Sequence, residues 1–416
     1  MKPISLVLAA MLTSGSIAAQ TLEVVPARVM SDEAAAIRAN GLQPGEKITI
    51  RAELTDGAGS QWAAQADFVA DAQGGVDASQ QAPVAGSYKQ ISAMGLVWAM
   101  LPVTKKVNSY VAIRELGPQA IDFHLLRQGK EISSAHLEQI ALAEGVRRIP
   151  ISEGAVRGTL FVPPGAGRHP AVMVVGGSNG GQPTRPAAWL ASHGYTALAL
   201  AYFRFEDLPP QLESIPLEYF QNALVWMAKR PEIGDARVGV LGTSRGGELA
   251  LQLGSMFPRI AAVVAYVPAN VRYPSCCRND GGPSWTWQGR ALAYALPRQA
   301  SSKYNAAIEV EHTQGPILMI SGEADRLWPS WEMADDVVTR LKRLHFAFSV
   351  ENLKYPHAGH FAGRQEIVPA WHGLIRNPTS GKENDLGGSA VGDALSSIDS
   401  IPKVLEFLRK NLAGIQ

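Results

Sequence analysis

The sequence predicts an α/β fold: a doubly wound, mostly parallel sheet over residues 146–416, preceded by an all-β, immunoglobulin-like sandwich over residues 20–145. Three observations predict this. The length of 416 residues exceeds what one compact core usually takes, which favours two domains. The first part carries short alternating segments between turn residues. The second part alternates apolar strands with helical segments.

Short segments in which apolar and polar residues alternate mark the predicted sandwich. Residues 47–54 alternate in this way, as half-buried strands do. Residues 109–116 and 120–126 are two further strand candidates, separated by a Gly-Pro pair. No group of reactive side chains stands out in this part, so no catalytic role is predicted for it.

Continuous apolar runs between helical segments mark the predicted parallel sheet. Residues 171–175 form such a run, which fits a strand buried on both faces. The last helix is predicted over residues 401–412, and the Gly- and Pro-interrupted residues 363–395 predict a long loop. The remaining predicted strands are residues 196–200, 238–241, 261–267, 317–320 and 348–353.

The predicted nucleophile is Ser244, within the sequence Gly-Thr-Ser-Arg-Gly at residues 242–246. The pattern G-x-S-x-G has meaning only on a sharp turn from strand to helix, where small neighbours let a strained serine expose its oxygen. Ser244 meets this condition because it follows a predicted strand and opens a predicted helix. A second match, at residues 176–180, precedes further turn residues that delay any helix. The alternative for Ser244 is a tight turn or a helix N-cap.

The second G-x-S-x-G match predicts part of an oxyanion hole. In an α/β-hydrolase one oxyanion donor is the N–H of the residue after the nucleophile, here Arg245. The other comes from an earlier loop, here residues 176–181, where glycines allow backbone N–H groups to approach the developing negative charge. The expected donor in that loop is Ser178 or Gly177, and the alternative is a purely structural turn.

A serine nucleophile needs a base, and the base needs an orienting carboxylate. In this fold the chain order is serine, acid, histidine. Asp325, just beyond a predicted strand, is the expected acid, with Glu323 as its rival. His360, after the next strand, is the expected base, with His357 as its rival.

These motifs resemble those of the acyl-CoA thioesterase / bile acid-CoA:amino acid N-acyltransferase family, over nearly all of residues 22–412. The resemblance implies a β-sandwich followed by an α/β-hydrolase with a serine, aspartate and histidine triad, here Ser244, Asp325 and His360. The segments that carry it are residues 41–45, 94–98, 154–164, 200–209, 217–220, 241–249, 322–328 and 355–360.

The resemblance implies hydrolysis of acyl-CoA to a free acid and CoA through an acyl-serine intermediate. Amide-forming transferases of the family generally use cysteine as the nucleophile, so Ser244 favours hydrolysis. Three alternatives remain: an exported carboxylesterase or lipase-like hydrolase, an acyl-CoA:amino acid N-acyltransferase, and a non-catalytic binding protein.

Composition excludes several classes of partner. The chain has 38 Lys and Arg residues and 37 Asp and Glu residues, so its net charge is close to zero. Without an excess of positive charge, nucleic-acid binding is not predicted. No apolar stretch of 18 or more residues predicts stable membrane insertion. Two cysteines are too few for a zinc site of four, and nothing calls for a metal or redox cofactor. The expected partner is a small-molecule acyl thioester or ester.

The N-terminus predicts export. Lys2 precedes an apolar run at residues 4–12, and small residues follow at 16–19, as in a secretory signal peptide. Residues 1–19 are therefore assigned as a signal peptide, and the expected location is periplasmic or secreted.

Residues 274–294 are the expected substrate side. Their aromatic residues could cover an acyl pocket or belong to an ordinary packed loop. Cys276 and Cys277 are expected to be two free thiols, and the alternative is a strained vicinal disulfide between them, formed after export. The candidates for contacting the CoA phosphates are Arg245, Arg278 and Arg290, while the aromatic candidates are Trp285, Trp287 and Tyr294.

Overall fold

The computed structural model describes residues 19–104, 106–234, 237–276, 281–295 and 305–412. The predicted signal peptide lies outside these residues except for residue 19. Strands of the first part end at Ile140 and those of the second begin at Arg147. The domain boundary assigned between residues 145 and 146 stays a prediction.

The first part consists of two β-sheets that share one core. A three-stranded sheet has the order β1-β3-β6, and a larger sheet has the order β2-β10-β9-β4-β5-β7, with β8 paired to β5. Leu22 and Ile37 from the smaller sheet pack with Ile50 and Phe123 from the larger one. The bounds are β1 Thr21–Val25, β2 Arg28–Met30, β3 Ala36–Asn40, β4 Lys47–Thr55, β5 Gln61–Val69, β6 Val76–Asp77, β7 Ala85–Gly86, α1 Gly95–Trp98, β8 Leu101–Pro102, β9 Gln119–Arg127 and β10 Lys130–Ile140.

The predicted strand over residues 109–116 is wrong. Ser109 forms only an isolated bridge with His372, and Arg114–Leu116 is a 3₁₀ turn. Within this segment Tyr110 packs against the sandwich core and Leu116 against a core of the main sheet, so the chain crosses between the two parts. Alternation of apolar residues therefore reflects packing between domains here, not a sheet.

The second part is built on an eight-stranded sheet of order β11-β12-β14-β13-β16-β17-β20-β21. The strands from β14 onward pair in parallel, while β11, β12 and β14 pair antiparallel. The bounds are β11 Arg147–Glu153, β12 Val156–Val162, β13 Ala171–Val175, β14 Thr196–Ala201, β16 Val238–Thr243, β17 Ile260–Tyr266, β20 Ile317–Gly322 and β21 Val350–Tyr355. The predicted doubly wound sheet after a β-sandwich is confirmed.

Helices cover both faces of this sheet, which is why its central strands are continuous apolar runs. Residues of α3, α4 and α5 pack in one core with one set of strand side chains. Residues of α2 and α6 pack in a second core with the opposite set. The helices are α2 Thr184–Ser192, α3 Glu218–Met227, α4 Arg245–Met256, α5 Ser330–Arg343 and α6 Ala390–Leu412.

Two small sheets lie outside the main one. One has the order β15-β18-β19, formed by Ile215–Pro216, Trp285–Trp287 and Arg290–Ala291. The other is a hairpin of β22 Ile375–Arg376 and β23 Glu383–Asn384, within the residues predicted as a long loop.

The last helix begins at Ala390, earlier than the predicted start at residue 401, and it continues through Pro402. Before the proline, the buried hydroxyls of Ser396 and Ser397 both donate to Asp393 O in the first turns of this helix.

The two parts are joined through residues that follow His360. Ile367 is buried among the sandwich side chains, so a residue of the C-terminal half belongs to the N-terminal core. Its N–H donates to Ser31 O at 2.7 Å, and its carbonyl accepts Gln139 Nε2 at 3.1 Å. Ala370 N donates to Trp98 O at 3.0 Å.

A buried carboxylate also ties the sandwich to α2. Asp32 Oδ2 accepts Trp189 Nε1 at 2.9 Å and lies 2.8 Å from His193 Nε2. Asp32→Ala is expected to lower the free energy of unfolding by about 1–3 kcal/mol, because it leaves buried donors without partners. Urea unfolding would measure this. The control is Asp122→Ala, which removes an exposed carboxylate and should lower the free energy of unfolding by less than about 0.5 kcal/mol. Equal losses of stability in the two variants would contradict the role of Asp32 in joining the sandwich to α2.

Candidate active site

Ser244 lies on a sharp turn between β16 and α4. Its backbone has φ 61° and ψ −120°, a conformation that is costly for a residue with a side chain. Glycines make the turn possible: a Cβ at Gly242 would overlap the Gly246 carbonyl, and a Cβ at Gly246 would overlap that of Gly176. Ser244 N donates to Tyr266 O at 2.9 Å, which ties the turn to β17.

The structure brings Ser244, His360 and Asp325 into one hydrogen-bonded line. Ser244 Oγ lies 2.9 Å from His360 Nε2, and His360 Nδ1 lies 2.8 Å from Asp325 Oδ2. With the Nδ1 proton donated to the carboxylate, Nε2 is left to accept the serine proton. The Asp325 side chain is fully buried and that of His360 is 6% exposed, so water does not compete for the bond between them.

Further bonds fix the carboxylate of Asp325. Oδ1 accepts the N–H groups of Leu327 at 3.0 Å and Trp328 at 3.3 Å, and Oδ2 also accepts Ser330 Oγ at 2.7 Å. The rival acid Glu323 is instead half exposed and 3.8 Å from Lys354 Nζ.

The histidine is held by neighbours on two sides. Trp328 stands edge-on to the His360 ring at a centroid distance of 4.8 Å, and its own Nε1 donates to Val267 O. Asp393 Oδ1 accepts Gly359 N at 2.7 Å, directly before His360 in the chain. The rival His357 is exposed and has no contact with Ser244 among the described residues.

The glycine-rich loop lies directly beside the serine. A Cβ at Gly177 would be 3.3 Å from Ser244 Cβ, so no larger residue fits there without displacement. Tyr202 Oη donates to Gly176 O at 2.6 Å and holds the start of the loop. Within the part of the chain that the structure describes, Ser178 N–H has no protein acceptor, and Arg245 N–H has none outside its own helix. Both groups are therefore available to a bound oxygen.

The Arg245 guanidinium is not available to a CoA phosphate, contrary to the expectation from sequence. It is buried, and its Nη1 and Nη2 donate to the carbonyls of Pro274 at 2.8 Å and Tyr273 at 3.1 Å. Its Nε lies 2.9 Å from Glu248 Oε2. Burial raises the pKa of the Glu248 carboxyl, although Arg245 opposes that shift. The pair fastens the segment after β17 to the start of α4.

Ser244 opens into a cavity of about 270 Å³. One part of its lining, the apolar wall, is apolar and aromatic, and another part, the polar wall, consists of polar side chains of the β22–β23 hairpin. The lining residues are Ser178, Ser244, Arg245, Tyr273, Pro274, Ser275, Cys276, Leu327, Trp328, Asn377, Ser380, Lys382 and Asn384.

Of the two alternatives for the aromatic residues of segment 274–294, the packed loop agrees with the structure, and none of the three lines the cavity. Trp285 is buried in the core, where its Nε1 donates to Glu248 Oε1 at 2.8 Å, and Trp287 packs against Phe257. Pairing of β18 with β15 holds both on the α3 side of the sheet. Tyr294 Oη donates to Gly281 O.

Three other expectations concern the same segment. Cys276 is disulfide-bonded, so the expectation of a free thiol there is wrong. Cys277 and Arg278 lie outside the described residues. Arg290 is exposed on β19 and does not line the cavity. No group of His, Cys, Asp and Glu that could hold a metal ion occurs among the residues placed by the structure.

Two family models match the chain. The model for the acyl-CoA thioester hydrolase/BAAT N-terminal region matches residues 32–153. The model for the BAAT/acyl-CoA thioester hydrolase C terminal matches residues 215–278 and 285–414.

Relatives are similar over nearly the whole chain. Acyl-coenzyme A thioesterase 6 of Mus musculus is 34% identical, covering 95% of this chain and 98% of that protein. Acyl-coenzyme A thioesterase 2, mitochondrial, of Homo sapiens is 32% identical, covering 95% of this chain and 85% of that protein. Peroxisomal succinyl-coenzyme A thioesterase of Mus musculus is 29% identical, covering 95% and 98%.

The expectation of a periplasmic or secreted location is wrong. Relatives that align with 95% of the chain carry mitochondrial and peroxisomal names. The expectation rested only on a short apolar run with small residues after it, which is independent of the fold and lies outside the described residues. Among the described helices, none combines the length and the apolar character needed to cross a bilayer.

Proposed function

This chain belongs to the acyl-CoA thioester hydrolase/BAAT family, and we propose that it is a serine hydrolase that converts acyl-CoA to a free acid and CoA. The observation that carries the proposal is the 2.9 Å contact between Ser244 Oγ and His360 Nε2 on a strained turn. A hydroxyl placed against a neutral imidazole in this way can lose its proton as it attacks a carbonyl carbon.

Acylation begins with attack of Ser244 Oγ on the thioester carbonyl while His360 takes the hydroxyl proton. Asp325 stabilises the imidazolium and keeps its orientation. The N–H groups of Arg245 and of Ser178 or Gly177 bind the oxyanion of the tetrahedral intermediate. Collapse of that intermediate breaks the carbon–sulfur bond, and CoA leaves with the proton from His360.

Deacylation repeats the sequence with water. His360 removes a proton from water, the resulting hydroxide attacks the acyl-serine carbonyl, and the same N–H groups bind the second oxyanion. Ser244 recovers its proton as the acid leaves. Every proton transfer in the two halves passes through His360 Nε2, whose partner Nδ1 stays bonded to Asp325.

The apolar wall of the cavity suits an acyl chain. Tyr273, Leu327 and Trp328 lie on that wall beside Ser244, whereas Lys382 and Asn384 lie on the polar wall. We propose that the acyl group packs on the first wall and that the polar thiol portion of the substrate lies toward the second. Burial of the alkyl chain would add roughly 0.8 kcal/mol per methylene, until the wall is filled.

A matched substrate series tests this function. With acyl-CoAs of graded length and simple esters of the same acyl groups, we expect equal amounts of free thiol and acid. We also expect kcat/KM to be at least about tenfold higher for the CoA thioester, a difference of about 1.4 kcal/mol from binding of the CoA portion. Thiol release is followed by a chromogenic thiol reagent and acid release by chromatography.

The same assay separates the alternatives. Equal or higher kcat/KM for the simple esters would replace the thioesterase assignment with a carboxylesterase. Formation of an amide when an amino acid is supplied would replace it with an N-acyltransferase. Absence of labelling at Ser244 by a covalent serine-directed phosphonate would point to a binding protein.

A further inference from the structure

We propose that the β22–β23 hairpin positions the oxyanion loop, and that Asn377 and Thr379 are the two positioning residues. The proposal rests on the function proposed above, since it assigns an oxyanion role to Ser178. Within the described part of the chain neither residue has a hydrogen bond to Ser244, and both bond to Ser178. Thr379 does not line the cavity, whereas Asn377 does, so the inhibitor comparison below separates its effect on Ser178 from direct contact with substrate.

The hairpin forms the polar wall of the cavity that contains Ser244. Its strands pair only with each other and are not a continuation of the main sheet. The chain reaches it after His360 and returns from it to α6, so it is connected to the histidine side of the site. Its contacts with Ser178 bridge from that side to the loop after β13.

The Asn377 side chain bonds on both sides of its amide. Oδ1 accepts the N–H groups of Thr379 and Ser380, each at 2.9 Å. These two donors fix the oxygen toward the hairpin's own turn, which leaves the Nδ2 donor facing Ser178. Nδ2 donates to Ser178 Oγ at 3.1 Å. The orientation of the amide therefore follows from its neighbours, without any choice between oxygen and nitrogen.

Thr379 supplies a second, independent bond to the same residue. Its Oγ1 donates to Ser178 O at 3.2 Å, so the hairpin holds Ser178 by its main chain as well as by its side chain. One residue further, Arg204 Nη1 donates to Asn179 O at 2.8 Å. The carbonyls of Ser178 and Asn179 are thus both fixed on the C-terminal side of the Ser178 donor. On its other side, Gly177 O, which shares a peptide group with Ser178 N–H, accepts Gly180 N at 3.2 Å.

The composition of the loop explains why such bonds matter. Residues 176–181 include four glycines, and Gly180 and Gly181 have φ of 65° and 72°. Glycine gives little resistance to rotation about its backbone bonds, and the loop has one backbone hydrogen bond of its own, from Gly180 N to Gly177 O. An oxyanion donor stabilises a transition state only if it is held in position before the reaction, within about 0.5 Å. The hairpin supplies the part of that constraint that acts on Ser178 itself.

Isosteric substitution at Thr379 provides the first test. Thr379→Val removes the hydroxyl donor and keeps the shape, while Thr379→Ser keeps the donor. We expect Thr379→Val to lower kcat by about 3- to 10-fold, with KM within about 2-fold, and Thr379→Ser to retain most of the activity. Loss of a complete oxyanion donor costs about 10²–10³ in kcat, and displacement of one should cost less.

Asn377→Ala is expected to lower kcat by about 10- to 100-fold, since it removes the Ser178 bond and loosens the turn that carries Thr379. Glu383→Gln, an exposed change on the same hairpin, is the matched control and should stay within about 2-fold of wild type. The double variant with Ser178 is a separate test of the same bond. Ser178→Ala keeps the backbone N–H and removes the side-chain partner of Asn377. The losses in kcat from Asn377→Ala and Ser178→Ala should therefore combine less than additively, as changes in activation free energy, because the two substitutions delete the same bond.

Two inhibitors separate positioning from a merely structural role. A trifluoromethyl ketone analogue of the substrate forms a tetrahedral oxyanion on Ser244, whereas an S-alkyl-CoA thioether has no carbonyl oxygen. We expect Asn377→Ala to weaken the ketone in proportion to its loss of kcat and to leave thioether binding within about 2-fold. Equal weakening of both, additive double-mutant effects, or unchanged kcat in Thr379→Val would each overturn the proposal.

The same variants can be assayed on a simple ester of the acyl group. An enzyme that prefers esters would overturn the thioesterase assignment while leaving the predicted fold-changes in kcat measurable. Failure of the hairpin proposal is therefore distinguishable from failure of the proposed function.

Discussion

Ser244→Ala is expected to lower kcat for acyl-CoA hydrolysis by at least about four orders of magnitude. The variant lacks the only oxygen that the structure places 2.9 Å from His360 Nε2 in the described part of the site. His360 and the oxyanion loop would remain, so a small rate above the uncatalysed reaction should persist. Thiol release in single-turnover and steady-state assays measures the loss.

A matched serine substitution controls for effects on the fold. Ser255→Ala lies near the other end of α4, where its hydroxyl donates only to Gln252 O, and it should leave kcat nearly unchanged. Mass spectrometry after rapid quenching should find an acyl adduct on wild-type Ser244 and none on the variant. A folded Ser244→Ala protein that retains more than a few per cent of kcat would refute the nucleophile assignment.

Asp325→Asn is the second large effect, with an expected loss of about 10⁴ in kcat. Asp325 Oδ1 accepts two backbone N–H groups, so an amide in this position would keep its oxygen there and turn its NH₂ toward His360. The imidazole would then accept a hydrogen bond at Nδ1 from the amide and carry its single proton on Nε2. In that tautomer Nε2 cannot accept the Ser244 proton, although all the heavy atoms keep their places.

The rival carboxylate provides the control for this prediction. Glu323→Gln removes a charge two residues away that faces Lys354 rather than His360, so kcat should change by less than about threefold. The two variants should have similar thermal stability if the fold is preserved. A larger loss in Glu323→Gln than in Asp325→Asn would exchange the roles of the two residues.

The sequence predicted those parts of the site that depend on local pattern. Ser244, Asp325 and His360 follow the carboxyl ends of β16, β20 and β21, and parallel strands bring such ends together at one edge of a sheet. The structure brings the three side chains together as expected, while their catalytic roles stay predictions. The sheet itself was predictable because its buried strands are continuous apolar runs.

Features that depend on distant partners were not predictable in this way. The buried role of Arg245 is set by carbonyls at residues 273 and 274, which no local pattern connects to it. Asn377 belongs to no motif, and only folding brings it to Ser178. Its Asn-x-Thr-Ser context did signal a turn, and a turn-forming asparagine in a loop near the histidine could have drawn attention to it. The apolar N-terminal run predicted export from composition alone, and the relatives contradict it.

The insertion of Ile367 into the sandwich gives the first domain a part in the working enzyme that contact with substrate would not reveal. Only six residues separate His360 from Ile367, whose backbone bonds to Ser31 and Gln139. A shift of Ser31 or Gln139 would therefore be passed along this short segment and would change the orientation of the His360 ring. The two halves share a core, and a cut at the predicted boundary would leave an apolar gap on one side and an exposed isoleucine on the other.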